Sequence, residues 1–208
     1  LCISGGIGNR YGPARIYDFD TIGVEVGNKG VGGAYFIDVG SLEIQNQNRD
    51  GLIGFRVSGL ALPNSNSNYI QCPFVKGRFK RYFDIEGNAT ILMGGDAEPT
   101  NAAVTGGVDE MVQMGGIGNI WIAPYFEPVG ATQPAVYFRF PSGSRNNRID
   151  HIYAPSLGSR VPSKIVDLGV GNQIDIRGAG FNFAQTVGLN RNMQNLCPNA
   201  HFVNLKAD

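Results

Sequence analysis

The second half of the chain repeats a short unit, in which a turn containing Gly and Asn leads into an apolar segment. These turns begin at positions 87, 118, 146 and 171, so the unit recurs after 31, 28 and 25 residues. Gly and Asn tolerate the left-handed backbone that a tight bend needs. Repeats of this length are typical of a solenoid, whose coils stack on one another. We also expect Asn side chains to hydrogen-bond between coils, at the strand spacing of about 4.8 Å.

Short apolar or alternating runs, broken by Gly, Asn and Pro, replace the long amphipathic segments that helices need. Strands are expected at 21–26, 34–39, 42–45, 52–57, 69–75, 78–85, 89–93, 119–123, 135–140, 148–153, 164–168 and 173–177. This pattern predicts an all-β chain that forms one domain over residues 1–208. A parallel β-helix explains the shared turn chemistry. A jelly roll or β-sandwich is the alternative, and it requires sequential strands to pair antiparallel.

Composition excludes several partners and sites. Seventeen basic and seventeen acidic residues cancel, which removes the attraction that nucleic acid or an anionic membrane surface requires. Three cysteines and two histidines, widely spaced, indicate neither a disulfide framework nor a metal site, and no motif indicates a cofactor. No apolar run is long enough to span a membrane. Because the chain does not start with Met, we expect a fragment or a processed product.

Three polar stretches interrupt the strands, at 62–68, 94–107 and 128–134. They are expected to be surface loops, where binding groups are often displayed. The repeat fades near the C-terminus. Residues 179–208 are therefore expected to form a cap over the last coil, or a segment that pairs with another subunit.

Several coils resemble those of bacteriophage tailspike proteins, within the wider pectin-lyase-like group. The resemblance rests on 118–127, 135–140 and 164–172, with 42–46 and 51–59 resembling the wider group. It implies a right-handed β-helix that forms a homotrimer on a phage tail, or acts extracellularly. It also implies binding of a bacterial surface polysaccharide for host attachment, together with its cleavage by a glycoside hydrolase or lyase. A structural or receptor-binding virion protein without catalysis is the alternative.

One set of candidate site residues comes from aligning three coils on Ile120, Ile149 and Ile174, which are expected to point inward. In this alignment Trp121, Asp150 and Asp175 share one outward ladder, beside Arg148. Trp121 would then offer a flat apolar surface to a sugar ring. Carboxylates on adjacent coils would have the separation found in retaining glycosidases, about 5 Å, while a gap of two coils would suit inverting glycosidases, at roughly 6.5–9.5 Å. Solvated residues on an outward surface explain the same pattern.

Other candidates lie in or beside the loops. Asp96 and Glu98, with Asp109 and Glu110 nearby, surround the longest loop, and Glu127 follows Tyr125. Any two of these carboxylates could flank a glycosidic bond, with Tyr125 stacking on a sugar. The run 76–82 alternates basic and aromatic side chains. This run could bind an acidic polysaccharide. Alternatively, it is simply the outer surface of a strand.

Overall fold

The chain forms a parallel β-helix in its computed structural model, which describes residues 1–3, 7–27, 33–59, 65–99, 104–126, 136–152, 164–176 and 185–187. No helix occurs in these segments. All strand pairs found there are parallel, so the chain coils in one direction and each turn stacks on the last. The prediction of an all-β chain that forms a parallel β-helix is therefore confirmed. The jelly-roll and sandwich alternatives are wrong, because they need antiparallel neighbours.

The strands of the described residues form three faces. The first face contains β3 (Ala14–Tyr17), the beginnings of β6 (Leu42–Val57) and β8 (Pro73–Ile85), β10 (Asp96–Pro99) and β13 (Tyr125–Phe126). The second contains β1 (Cys2–Ile3), β4 (Ile22–Val26), the remainders of β6 and β8, β11 (Glu110–Met114), β14 (Val136–Phe140), β16 (Lys164–Asp167) and β18 (Gln185–Val187). The third contains β2 (Arg10–Tyr11), β5 (Asp38–Val39), β7 (Tyr69–Gln71), β9 (Ile91–Met93), β12 (Ile120–Ile122), β15 (Arg148–Ile152) and β17 (Gln173–Ile176).

The core lies inside the coil. It is built from ladders of residues that occupy the same position in successive coils. Successive residues of a strand point to opposite sides, so every second residue faces inward. On the second face one such ladder runs through Phe55, Phe83, Val112, Phe138 and Ile165. All five side chains are fully buried. Stacking like residues on like residues buries apolar surface at each step, which stabilises the coil by about 25 cal/mol per Å².

A left-handed residue recurs at the same corner of every coil, between the second and third faces. The residues with positive φ there are Gly8, Phe36, Ser67, Ala89, Gly118, Asn146 and Gly171. The residues that precede them form parallel bridges in two series, one from Ile7 to Asn88 and one from Ile117 to Val170. The repeating turn in the sequence is therefore this corner.

Asparagine side chains stack immediately after that corner, as predicted. Asn119, Asn147 and Asn172 are fully buried. The Nδ2 of Asn119 donates to the Oδ1 of Asn147 at 3.1 Å, and the Nδ2 of Asn147 donates to the Oδ1 of Asn172 at 3.1 Å. The same Oδ1 atoms accept backbone N–H groups of the coil below. The ladder thus satisfies buried polar groups where the chain turns.

The sequence missed several strands. β3, β10, β11 and β13 were not expected, and β6 and β8 each run without a break through two predicted strands. Most of the tail at 179–208 lies outside the described residues. Within it, β18 pairs with β16 in parallel, so the coil pattern continues to residue 187.

Candidate functional site

The outer side of the first face brings the largest set of predicted binding residues together. One outward ladder crosses five strands; its members are Arg15, Glu43, Phe74, Asp96 and Tyr125. A second ladder lies beside it; its members are Tyr17, Gln45, Lys76 and Glu98. We call these nine residues the first-face surface. Five rungs at the strand spacing give it a length of about 19 Å.

Charged and aromatic groups lie side by side on the first-face surface and contact one another. The Nε of Arg15 lies 2.8 Å from Glu43, and the hydroxyl of Tyr17 donates to the same carboxylate at 3.1 Å. Lys76 pairs with Glu98, and its ammonium lies 5.9 Å from the centre of the Phe74 ring. Desolvation at the sheet surface and the hydrogen bond to Glu43 raise the pKa of Tyr17. Flat rings beside oriented polar groups are well suited to bind sugars.

A depression opens at the N-terminal end of the first-face surface. Its lining includes Pro13, Arg15, Leu42, Glu43, Cys72 and Phe74. The guanidinium of Arg15 stands at its edge with its side chain 75% exposed, whereas Glu43 is 29% exposed. The depression therefore combines an apolar floor with a charged rim, as small-ligand sites commonly do.

The prediction that Trp121 points outward is wrong. Trp121 is fully buried, and its Nε1 donates to the carbonyl of Gly94 at 2.7 Å. Its ring packs between Phe83, at 4.5 Å between centroids, and Phe126, at 5.6 Å. The strand register aligns Trp121 with Ile149, which is an inward position. Trp121 is thus a core residue and is not available to a ligand.

Asp150 consequently does not share a ladder with Trp121. Asp150 aligns with Ile122 on the outer side of the third face. It is 8% exposed, and the Nε of Arg148 donates to its Oδ1 at 2.6 Å. The side chain of Asp175 lies outside the described residues.

The carboxylates near the loops separate into different places. Asp96 and Glu98 lie two residues apart on β10, on the first-face surface with Tyr125. Asp109 is exposed at the start of the second face. Glu127 lies outside the described residues. The structure therefore brings together Asp96, Glu98 and Tyr125, and separates them from Asp150 and Arg148.

Sequence reasoning missed a cluster of charged residues on the second face. Asp84 is fully buried, although it lies on the outer side of β8. Arg56 donates to its Oδ2 at 2.8 Å, and Gln113 donates to its Oδ1 at 3.0 Å. Arg81 bridges Asp84, at 3.1 Å, and Glu110, at 2.6 Å.

A bend in β8 creates this cluster. Residues i and i+3 of a straight strand point to opposite sides, yet Arg81 and Asp84 form an ion pair. Between them Tyr82 and Phe83 are both fully buried. Two consecutive inward residues turn the strand, so the outward side chains on either side converge. The pair Met111 and Val112, on β11, repeats the same feature.

Among the described residues, no three His, Cys, Asp or Glu side chains are placed to hold a metal ion. A search for helices that are long and apolar enough to cross a membrane finds none in the described segments. Comparison with family models, with curated proteins and with solved structures finds no significant match to this chain.

Proposed function

We propose that this protein binds a bacterial surface polysaccharide along the first-face surface, as tailspike-like proteins of phage particles do. The observation that carries the proposal is the register of the first face. It aligns Phe74, Asp96 and Tyr125 on successive rungs, with the ion pair of Lys76 and Glu98 beside them. An extended surface of alternating rings and polar groups fits an extended chain of sugars.

The chemistry of each group supports this assignment. The ring of Phe74 and that of Tyr125 present apolar faces to the CH groups of a sugar. Carboxylates accept hydrogen bonds from hydroxyl groups, and the ammonium of Lys76 donates to them. Lys76 pairs with Glu98, and Arg15 pairs with Glu43. These ion pairs hold the charged groups in place, and sugar hydroxyls would replace one partner of each pair when the polysaccharide binds.

Cleavage is a second candidate function, and the placement of Asp96 and Glu98 favours it. They lie two residues apart on β10 and point to the same side. Their backbones are therefore about 7 Å apart along the strand. Inverting glycosidases hold their two carboxyl groups roughly 6.5–9.5 Å apart, with one as general acid and the other as general base.

Binding is tested with immobilised capsule and O-antigen polysaccharides from a panel of bacteria. We expect Phe74→Ala and Tyr125→Ala each to weaken binding about tenfold, which corresponds to about 1.4 kcal/mol. Phe36→Ala is the matched control, because Phe36 is an aromatic residue that is 65% exposed at the corner between the second and third faces. Its affinity should equal that of the unmodified protein. A panel without any binder, or equal affinities for all three variants, would contradict the proposal.

The same polysaccharides separate binding from cleavage. Release of reducing ends or unsaturated products that stops in Asp96→Asn and Glu98→Gln supports cleavage by this pair. Binding without any product would indicate a receptor-binding protein without catalysis. Product formation that survives both substitutions assigns the chemistry to other residues.

A further inference from the structure

The depression at the N-terminal end of the first-face surface is large enough to hold part of a ligand. Its volume is about 560 Å³, within the range of roughly 300–1,000 Å³ that is typical of small-ligand sites. Ser41 and Cys72 line one side of it, at the corner between the third and first faces, and Arg15 and Phe74 line the other. The depression therefore has room for a sugar residue together with its substituents.

The carboxylate of Glu43, at the rim of the depression, already has a donor on each oxygen. The Nε of Arg15 lies 2.8 Å from its Oε2. The hydroxyl of Tyr17 donates to its Oε1 at 3.1 Å, and the Nε2 of Gln45 donates to the same atom at 2.8 Å. A carboxylate offers about four acceptor positions, and three donors already surround this one. The main role of Glu43 is therefore to hold Arg15 in place.

The outer end of the Arg15 guanidinium is available to a ligand. Nε is the atom that lies closest to Glu43, and within the described residues neither Nη1 nor Nη2 of Arg15 makes a hydrogen bond. The side chain is 75% exposed. A guanidinium binds a carboxylate through two parallel N–H groups, and such charge-assisted bonds are about twice as strong as bonds between neutral groups. The ligand group that complements this rim is therefore a planar anion.

We propose that the depression binds a sugar that carries a carboxylate, as uronic acids do, so that the polysaccharide bound by the first-face surface is an acidic one. This inference rests on the proposed function, because it names the class of polymer that the surface binds. Arg15 and Phe74 lie two rungs apart, on either side of Glu43, which is about 10 Å. Two neighbouring sugars of an extended chain span that distance. One stacks on the ring of Phe74, and the next directs its carboxylate to Arg15.

The negative charge of Glu43 does not cancel the preference for an anion. A carboxylate bound by Nη1 and Nη2 touches the guanidinium of Arg15 directly, whereas Glu43 lies on the Nε side of the same group. Coulomb energy falls with distance, so the attraction by the nearer guanidinium exceeds the repulsion by the more distant carboxylate. A neutral sugar gains only ordinary hydrogen bonds at the same place.

Reduction of carboxyl groups tests the ligand class with matched polymers. Uronic-acid-containing capsules are compared with the same preparations after chemical reduction, which converts each uronic acid into a neutral hexose. We expect the unmodified protein to bind the acidic form at least about tenfold more tightly. Arg15→Gln should abolish most of this difference and leave the affinity for the reduced form unchanged. Phe74→Ala should weaken the binding of both forms.

Arg10→Gln is the matched control for the loss of charge. The Nε of Arg10 lies 2.9 Å from Asp38, and its side chain is 84% exposed. Arg10 thus resembles Arg15 in its ion pair and exposure, but it lies on the third face, outside the lining of the depression. Arg10→Gln should keep the preference of the unmodified protein for the acidic form.

The thiol of Cys72 reports directly whether the depression is occupied. Cys72 is an exposed free cysteine in its lining. Labelling by a maleimide, followed by peptide mass spectrometry, should become slower at Cys72 when the acidic polymer is present. Labelling of Cys2, which is exposed on the second face, should keep its rate.

The outcomes separate this inference from the proposed function. Equal affinity for the acidic and reduced forms, an unchanged preference in Arg15→Gln, or acid-dependent binding that leaves Cys72 unprotected overturns the inference. Binding only of neutral polymers, or of polymers charged through phosphate, also overturns it. In each of these cases a loss of affinity in Phe74→Ala still supports polysaccharide binding by the first-face surface. A panel without any binder contradicts both.

Discussion

Asn119 is the residue whose loss should most clearly test the role of the asparagine ladder. It is fully buried. Its Oδ1 accepts the backbone N–H of Thr90 at 2.9 Å, and its Nδ2 donates to the carbonyls of Gly87, at 2.6 Å, and Gly115, at 2.9 Å. Asn119→Ala removes these bonds and leaves three buried backbone groups without them. A buried group that loses its partner costs about 1–3 kcal/mol. We expect the free energy of unfolding to fall by about 3–5 kcal/mol, of a total of about 5–15 kcal/mol.

Urea unfolding followed by circular dichroism measures this loss, with the slope of the transition as a check that unfolding stays two-state. Asn9→Ala is the matched control. Asn9 follows the left-handed corner of the first coil, as Asn119 does in its own coil, but it is exposed. Its removal should change stability by no more than about 0.5 kcal/mol. A cost below about 1 kcal/mol for Asn119→Ala, or equal costs for both variants, would refute the role given to the ladder.

The asparagine ladder is interrupted at one coil, and filling this gap should raise the stability of the fold. Thr90 occupies the position between Asn68 and Asn119. The Nδ2 of Asn68 and the Oγ1 of Thr90 are buried and make no hydrogen bond. Thr90→Asn supplies the missing acceptor for Asn68, so we expect the free energy of unfolding to rise by about 1 kcal/mol. Thr90→Val, which removes only the unbonded hydroxyl, should not lower it.

Two further predictions concern buried side chains. Trp121→Phe should lower the free energy of unfolding by about 1–3 kcal/mol, through lost volume and the lost bond to Gly94; an unchanged urea midpoint would contradict the buried placement. Burial raises the pKa of Asp167 above 3.8, against the lowering effect of hydrogen bonds from Asn172 and Gly169. The folded chain therefore keeps this proton to higher pH than the unfolded chain, and its contribution to stability falls as the pH rises from 3.8 through the raised pKa. Asp167→Asn should remove that decline when the free energy of unfolding in urea is measured at a series of pH values above 3.8, and an unchanged dependence on pH would contradict it.

The fold was largely predictable because the coil repeats its most informative residues. The corner of each coil needs a left-handed backbone, and in the second half of the chain Gly118, Asn146 and Gly171 hold that position at a readable spacing, whereas Phe36, Ser67 and Ala89 hold it in earlier coils. β10 was missed for a physical reason. Its residues Asp96, Ala97, Glu98 and Pro99 all have poor strand propensity. They adopt the strand because Ala97 and Pro99 bury their side chains against the coil, and β8 supplies the hydrogen-bonding edge.

The site was predicted only in part, because the coils were aligned on the wrong residue. The prediction that Ile120 points inward is wrong, because Asn119 is the inward residue that matches Asn147. Aligning on the asparagines places Trp121 with Ile149, as the register does. A slip of one residue moves every side chain to the other side of the sheet. The asparagine ladder was itself predicted, so the sequence contained the signal that corrects the alignment.

The bend in the second face leaves a different signal, which follows from the break in strand alternation. Tyr82 with Phe83 and Tyr137 with Phe138 are doublets of consecutive aromatic residues that interrupt the alternation of their strands, and all four side chains are fully buried. A doublet turns the strand, so the polar residues that flank it converge on the outer side. The acidic residue Asp84 flanks the doublet. It can be fully buried because Arg56 and Arg81 both contact its Oδ2, at 2.8 Å and 3.1 Å. A buried charge costs several kcal/mol when unpaired, so the arginines and the doublet are parts of one structural requirement.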